Sequence, residues 1–463
     1  MSAPAFARWL PTDTAPGTTA TRRAQLRLIS PDSPADHVTP YDRFAWSDAT
    51  VAEWLASGEH RAELTAYFGA PEYRDLAALA RGARRTPLAE PDLSVIVVPG
   101  IMGSQLGIRR APPLPDDIIW IDPIDIQHGR LRSLRVPGSA RIVPLGVVLF
   151  SYLRLKLQLR ARGFAAEFYD YDWRLAAAEI GRVFAAHLRT HPAARLAIVA
   201  HSLGGLVTRA ALAQPGLQKV ERVVLLGTPN HGSYAAVQAL RGTDAVVRKV
   251  ARLAPADSAE ALAGDVYSTF PSLYDLLPPG NTRTALLDAA AWPGSGPQPR
   301  AALLEGSRVD RERLAVPDAR FISIAGIGQP TVTAVARRGD DFLYTITRSG
   351  DGTVPAASAA LPGTRAFFAR VAHSDLTRDP LVGAAVVDLL RHGATKRLPA
   401  NWRGANRAQA QVSDSQLRRL HAGKVNWGTL SPEERRLFLQ NLNEPVSPRL
   451  RVPAKRTRRP MRI

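Results

Sequence analysis

Three residues, Ser202, Asp351 and His373, are of the types that together carry out nucleophilic acyl transfer. A serine hydroxyl is a weak nucleophile near neutral pH, so it needs a histidine base within hydrogen-bond reach and an acid that holds the histidine ring. Where the serine lies on a sharp strand-to-helix turn, the three groups follow one another in this chain order. The sequence therefore predicts Ser202 as nucleophile, Asp351 as acid and His373 as base.

The stretch that holds Ser202 has the pattern of such a turn. The apolar run 196–200 is typical of a buried parallel strand, and residues 203–212 have the pattern of a helix. Gly204 lets this helix pass close to the strand, and Ala200 stands where the usual motif begins with Gly. On its own, the stretch also fits a buried strand followed by a serine-capped helix. The order of the acid and the base decides between the two.

Other residues compete for the roles of base and acid. His201 adjoins the nucleophile, but its side chain should point away from it, and His231 follows a core strand where a structural role is expected. Asp172 also follows a strand and is the alternative acid. We favour His373 because it follows the last predicted strand, and the carboxyl ends of parallel strands meet at one edge of the sheet.

A tetrahedral intermediate needs two backbone donors for its oxyanion. The N–H of Leu203, directly after the nucleophile, is the first predicted donor. The second is the Ile101 N–H, within the glycine-containing turn 99–103 that follows the first strong strand. The alternative for this turn is an ordinary strand-to-loop connection.

The elements that must position these residues alternate along the chain between strands and helices. Strands are predicted at 93–98, 165–171, 196–200, 222–226, 321–327 and 364–371, with a hairpin over 331–348. Helices are predicted at 145–162, 180–188, 203–212 and 379–390. This spacing is typical of an α/β protein with a mostly parallel, doubly wound sheet.

The length of 463 residues allows one large domain with insertions and extra segments at its ends. We predict an irregular, then helical N-terminal segment over 1–90 and a catalytic domain over 91–392. Within that domain, a lid loop spans about 104–130 and a cap insertion spans about 234–317. The remainder, 393–463, is predicted to be a basic, partly disordered tail.

The net charge of +19 is concentrated in that tail, where 16 Lys or Arg face 4 Asp or Glu. Such a tail fits docking to an anionic lipid surface, non-specific nucleic-acid binding, or simple solubilisation. We favour the lipid surface over nucleic acid because the predicted chemistry would use lipid. No N-terminal stretch resembles a signal peptide and no apolar run is long enough to span a bilayer. A cytoplasmic or peripheral membrane protein is expected, with signal-independent export left open.

The chain contains no cysteine, which excludes disulfides and thiolate metal sites. We predict neither a metal nor a cofactor, and the oligomeric state is not indicated.

Six motifs occur together and in order, and the chain resembles the lecithin:cholesterol acyltransferase family, which includes phospholipid:diacylglycerol acyltransferases and lysosomal phospholipase A2. The motifs are PGIMGSQL (99–106), YDWR (171–174), AHSLGG (200–205), GTPNHGS (227–233), GDGTVP (350–355) and HSDL (373–376). The resemblance implies an α/β-hydrolase fold with a cap and lid. It implies an acyl-enzyme formed on Ser202 from a phospholipid or other lipid ester, whose acyl group passes to water or an alcohol. It also places Trp120 and Met102 beside the substrate.

Two other functions remain open from the sequence. One is a soluble carboxylesterase for small acyl esters, in which the cap shapes a closed pocket. The other is a catalytically idle hydrolase fold that serves as a binding module, which the complete set of Ser202, Asp351 and His373 disfavours.

Overall fold

The structure is a computed structural model, and it describes residues 39, 41–42, 46–279, 285–402, 404, 410–419 and 423–440. Most of the predicted irregular segment 1–45, and the Arg-rich end from residue 448 onward, lie outside the described residues. Among those residues, no helix combines the length and the apolar character needed to cross a bilayer.

The strands divide between one large sheet and two small ones. They are β1 (Leu93–Val98), β2 (Ser104–Ile108), β3 (Asp117–Trp120), β4 (Val143–Val147), β5 (Ala165–Phe168), β6 (Arg195–His201), β7 (Val220–Leu226), β8 (Phe321–Gly326), β9 (Thr331–Arg338), β10 (Asp341–Thr347), β11 (Arg365–Ala369) and β12 (Ala410–Ser413). Within the described part of the chain, six parallel strands form the central sheet in the order β11-β8-β7-β6-β1-β5.

The helices cover this sheet and build the cap. They are α1 (Asp48–Ser57), α2 (Arg61–Phe68), α3 (Ala70–Arg85), α4 (Pro123–Gln127), α5 (Leu149–Arg160), α6 (Ala177–Thr190), α7 (Leu203–Leu212), α8 (Tyr234–Leu240), α9 (Ala245–Leu253), α10 (Ala259–Asp265), α11 (Pro271–Asp275), α12 (Ala301–Glu312), α13 (Ala356–Ala359), α14 (Pro380–His392), α15 (Asp414–Arg419) and α16 (Pro432–Gln440). Helices α8 to α12 occupy the predicted cap insertion.

The central sheet is buried on both faces, which explains why its strands are nearly continuous apolar runs. Side chains of β1 alternate between two cores: Val95 and Val97 pack with α5 and α14, whereas Ile96 and Val98 pack with α6 and α7. Helices therefore lie on both sides of a parallel sheet, and the structure confirms the predicted α/β fold class with a mostly parallel, doubly wound sheet.

The predicted lid loop over 104–130 is wrong in one respect, because the region is folded. Strands β3, β2 and β4 form a small antiparallel sheet there, followed by α4 and a 3-10 turn at Arg130–Leu134. The Arg130 guanidinium holds this unit from inside, donating to the buried carboxylates of Asp117 at 2.6 Å and Asp125 at 2.5 Å. The predicted helix 145–162 accordingly begins only at Leu149, since β4 occupies the residues before it.

Both ends of the described chain pack onto this domain. Helices α1 to α3 share an apolar core with α5. The predicted hairpin is present as β9 and β10, and β12 adds to it antiparallel to β10. Helix α16 lies against α2, where the Gln440 side chain donates to the Phe68 carbonyl at 3.1 Å. The segment predicted as a tail thus contributes a strand, helices and the buried Trp427, which is 1% exposed.

Candidate active site

Ser202 lies at the corner between β6 and α7, with φ of 53° and ψ of −125°. A positive φ is rare for any residue other than glycine and marks a strained position. The Ser202 N–H donates to the Leu226 carbonyl at 2.9 Å, which ties the corner to the end of β7. The local geometry is that of the predicted strand, sharp turn and helix.

Small residues around the corner allow three segments to meet there. A Cβ on Gly204 would lie 2.4 Å from the Pro99 carbonyl oxygen, and one on Gly205 would lie 2.0 Å from the Thr228 hydroxyl. The turn after β1 comes equally close, since a Cβ on Gly100 would lie 2.8 Å from the Ser202 Cβ. Glycine is required at these contacts for steric reasons.

His373 and Asp351 are hydrogen-bonded to each other. The His373 Nδ1 donates to Asp351 Oδ2 at 2.8 Å, and the His373 backbone N–H donates to the Asp351 carbonyl at 2.9 Å. Asp351 is 1% exposed, and its Oδ1 accepts from the N–H groups of Thr353 at 2.9 Å and Val354 at 2.6 Å. A carboxylate can only accept, so Nδ1 carries the hydrogen and Nε2 is left to act as the base.

The sheet explains why residues from distant loops meet here. Gly326 ends β8, and a Cβ on it would lie 2.5 Å from the Asp351 Cβ. The hairpin of β9 and β10 therefore leaves the sheet and returns the chain to the end of β8. Gly227 directly follows β7 with φ of 56°, and a Cβ there would approach His373 Nδ1 to 3.1 Å and Asp351 Oδ2 to 3.2 Å. The acid and base thus rest on the carboxyl ends of adjacent strands.

Ser202 and His373 line one cavity of about 180 Å³. Ile101 and Met102 border it from the turn after β1. Polar and charged side chains, including Thr243, Asp244 and Arg248, also line the cavity. Twelve further lining residues are aliphatic: Ala235, Ala236, Ala239, Ala245, Val246, Leu273, Leu276, Val332, Ile346, Val354, Val412 and Leu417. A cavity of about 150 Å³ is large enough to hold benzene, so this one has room for the first carbons of an acyl chain.

The two predicted oxyanion donors lie on either side of the serine corner. Leu203 is the first residue of α7, and N–H groups in the first turn of a helix have no acceptor within the helix. Ile101 lines the cavity in a turn held by two hydrogen bonds. The Gly103 N–H donates to the Gly100 carbonyl at 3.1 Å, and the Trp120 indole donates to the Met102 carbonyl at 3.1 Å.

A hydrogen-bonded chain, which the sequence does not reveal, links this turn to the base. The Gly100 N–H donates to the Tyr152 hydroxyl at 2.8 Å, Tyr152 lies 3.0 Å from His201 Nδ1, and His201 Nε2 lies 3.1 Å from the His373 carbonyl. Burial, with His373 nearby, lowers the pKa of His201 well below its usual range, so its ring is neutral.

The partners fix every hydrogen in this chain. A carbonyl only accepts, so His201 Nε2 carries the hydrogen and its Nδ1 accepts from the Tyr152 O–H. The Tyr152 oxygen in turn accepts from Gly100. In the sequence Tyr152 is only one residue of an apolar helix face, and nothing marks its hydroxyl. The sequence predicts that His201 points away from the nucleophile, yet the centroid of its ring lies 4.7 Å from that of His373, with the two rings tilted by 39°.

Trp120, which the resemblance places beside the substrate, is not among the residues that line the cavity. Its ring is 1% exposed and packs edge-on against Trp173 at 5.4 Å. Because its indole donates to Met102, Trp120 supports the turn that carries Ile101. Met102 itself lines the cavity.

The competing acid and base lie elsewhere. Asp172 is paired with Arg174 at 2.6 Å, and it has no hydrogen bond to a histidine among the residues that the structure describes. His231 is exposed, and its backbone N–H donates to the Ser358 carbonyl at 3.1 Å. Neither Asp172 nor His231 is among the residues that line the cavity.

The chain is similar to several solved bacterial structures. The propeptide form of Bacillus licheniformis lipase BlEst2 matches 70% of this chain and 54% of its own, at 17% identity and a TM-score of 0.36. The mature form of that lipase matches 66% and 95%, at 17% identity and a TM-score of 0.35. Phospholipase PlaB from Legionella pneumophila matches 65% and 57%, at 12% identity and a TM-score of 0.28.

The chain thus spans about half the length of the propeptide form that it matches. No protein-family model matches the chain. No curated protein sequence matches it either. Its function is therefore judged from the residues of the site.

Proposed function

We propose that the protein is a serine-dependent lipid ester hydrolase that works through an acyl-enzyme on Ser202. One observation supports this most strongly: the strained Ser202 and the ring of His373, which is hydrogen-bonded to the buried Asp351, line the same mostly apolar cavity. Such a cavity suits the hydrocarbon chain of an ester, and the three polar groups suit its carbonyl.

The proposed reaction has two steps, acylation and deacylation of Ser202. Ser202 Oγ attacks the ester carbonyl carbon while His373 Nε2 takes its proton, and Asp351 stabilises the imidazolium that forms. The N–H groups of Ile101 and Leu203 bind the oxyanion. The alcohol leaves with the proton from His373, and an acceptor activated by His373 then attacks the acyl-enzyme and releases the acyl group.

The six motifs shared with the lecithin:cholesterol acyltransferase family support a finer proposal. The substrate is a phospholipid or related lipid ester, and the acceptor is water or the hydroxyl of an alcohol. The basic end of the chain, with 16 Lys or Arg against 4 Asp or Glu from residue 393 onward, supports docking to an anionic lipid surface. The cavity volume of about 180 Å³ favours, as a second candidate, an esterase for short acyl groups.

A fluorophosphonate probe tests the serine mechanism, because it labels only an activated serine. Labelling should be lost in Ser202→Ala, with kcat falling about 10⁶-fold. The matched control is Ser374→Ala, which removes another serine hydroxyl from the same cavity and should keep the label. An unlabelled wild-type protein, with no ester hydrolysed, would contradict the proposal.

The substrate class is tested separately. Mixed phospholipid vesicles, with and without sterol, are incubated with wild type and Ser202→Ala, and the products are identified by mass spectrometry. Free fatty acid indicates water as acceptor, and a new ester indicates an alcohol. Turnover of short-chain esters alone would select the esterase.

A further inference from the structure

Residues 410–419, here called the strap, lie outside the predicted catalytic domain but form part of its cavity. The strap consists of β12 and α15, and it contributes Val412 and Leu417 to the cavity wall. We propose that the strap determines the acyl-chain-length specificity of this site and that Val412 limits the length of chain accepted. The proposal rests on the proposed function of Ser202 and deepens it.

The position of Val412 follows from strand pairing. β12 is antiparallel to β10 with Tyr344 opposite Val412 and Thr345 opposite Gln411. Successive side chains of a strand point to opposite faces of the sheet. Val412 accordingly lines the cavity, whereas Gln411 is exposed and its amide donates to the Thr345 hydroxyl at 3.4 Å.

The same small sheet supplies the rest of this wall. Val332 of β9 and Ile346 of β10 line the cavity together with Val412, and Leu417 adds to them from α15. Four aliphatic side chains therefore face the space that contains Ser202. This surface binds hydrocarbon and offers no side-chain hydrogen bond to a phosphate or sugar, so the ligand expected against it is the acyl chain.

A buried ion pair holds the strap in place. Asp414 follows β12 and is 0% exposed, as is Arg241 at the end of α8. The Arg241 Nε donates to Asp414 Oδ2 at 2.8 Å, and the Tyr344 hydroxyl donates to Asp414 Oδ1 at 2.6 Å. Separating a buried pair leaves a charge without a partner and is strongly unfavourable. The strap is therefore held in place between the hairpin and the cap. A wall that limits the length of a bound acyl chain has to be fixed in this way, because a mobile one would move aside for a longer chain.

The side chain at position 412 can be made either larger or smaller by substitution. Val412→Trp fills the wall and should lower kcat/KM for long-chain esters at least about tenfold, while short-chain esters are hydrolysed almost normally. Val412→Ala enlarges the space and should move the optimum toward longer chains. Gln411→Trp is the matched control, since it adds the same ring to the other face of the same strand and should leave the optimum unchanged.

The experiment measures kcat/KM over a series of p-nitrophenyl esters from acetate to laurate, together with the fluorophosphonate labelling rate and the melting temperature. If the optimal acyl-chain length shifts in opposite directions in the two Val412 variants, with normal labelling by the probe, the proposed role of Val412 is supported. An unchanged optimum in a folded Val412→Ala, or the same shift in Gln411→Trp, would overturn it. If wild type neither hydrolyses the esters nor reacts with the probe, the proposed function of Ser202 fails instead.

Discussion

Replacing Tyr152 with Phe tests whether the hydrogen-bonded chain from Gly100 to His373 supports catalysis. The substitution keeps the ring and removes one hydroxyl. That hydroxyl accepts from the Gly100 N–H at 2.8 Å and donates to His201 Nδ1, 3.0 Å away. The Gly100 amide directly precedes Ile101, whose N–H is a proposed oxyanion donor, so the change acts on the oxyanion site and on the support of the base together.

The magnitude can be worked from these contacts. Two buried polar groups lose their partner, and each unpaired group costs about 1–3 kcal/mol. The free energy of unfolding should therefore fall by about 2–6 kcal/mol. Complete loss of one oxyanion donor costs about 10²–10³ in kcat. A donor that is displaced rather than removed should cost less, so we expect kcat to fall about tenfold to a hundredfold.

KM should change little, because the oxyanion exists only in the transition state. The assay is steady-state ester hydrolysis, with the melting temperature measured on the same samples. Tyr267→Phe is the control: Tyr267 is 2% exposed, and its hydroxyl has no partner among the described residues. Removing that hydroxyl should leave both kcat and stability unchanged or slightly improved.

Two results would refute this reasoning. If Tyr152→Phe is less stable but keeps the wild-type kcat, the chain supports the fold without positioning the oxyanion donor. If Tyr267→Phe loses as much kcat as Tyr152→Phe, the effect belongs to general loosening of the interior.

Two further substitutions test the acid and the cap. Asp351→Asn would donate to His373 Nδ1 and force the wrong tautomer, so kcat should fall about 10⁴-fold with the fold intact by circular dichroism. Burial raises the pKa of Asp275 to about 7, well above its usual value, even though the hydrogen bond that its carboxyl accepts from the Ala177 N–H at 2.7 Å acts to lower the pKa. The folded protein therefore holds the Asp275 proton more tightly than the unfolded chain does. The contribution of this proton to the free energy of unfolding is complete below about pH 4 and is lost as the pH rises through about 7. The free energy of unfolding should change by about 4 kcal/mol across this pH range. Asp275→Asn cannot titrate there, so its melting temperature should fall less than that of wild type between acid and alkaline buffer. An identical fall in wild type and variant would exclude this role of Asp275.

The parts of the fold that could be predicted are those encoded locally. β1, β6 and β7 contain apolar runs that are followed by turns with small residues, and such runs identify buried parallel strands without knowledge of their neighbours. Ser202, Asp351 and His373 could be selected because each lies in a turn after a strand, and a parallel sheet brings such turns to one edge. The structure places His373 and Asp351 in contact and Ser202 in the same cavity.

The parts that could not be predicted depend on pairing between distant segments. β3 has only four residues and is recognisable as a strand only because β2 pairs with it. Trp120 ends that strand, so its burial and its bond to Met102 follow from a sheet with no signal in the local sequence. Tyr152 is similar, since its partner Gly100 is 52 residues away and the helix pattern shows only that the ring is buried.

The strap shows why a boundary based on composition can divide a functional site. The sequence after residue 392 is set apart by its basic charge, and that contrast suggested a separate tail. The charge of a segment reflects its solvent-exposed side chains. The positions of Val412 and Asp414 are set instead by contacts with other segments, namely strand pairing with β10 and the ion pair with Arg241. The net charge of a segment is insensitive to a few buried side chains. The cavity that contains Ser202 is therefore completed by the part of the chain that composition alone assigned to the outside.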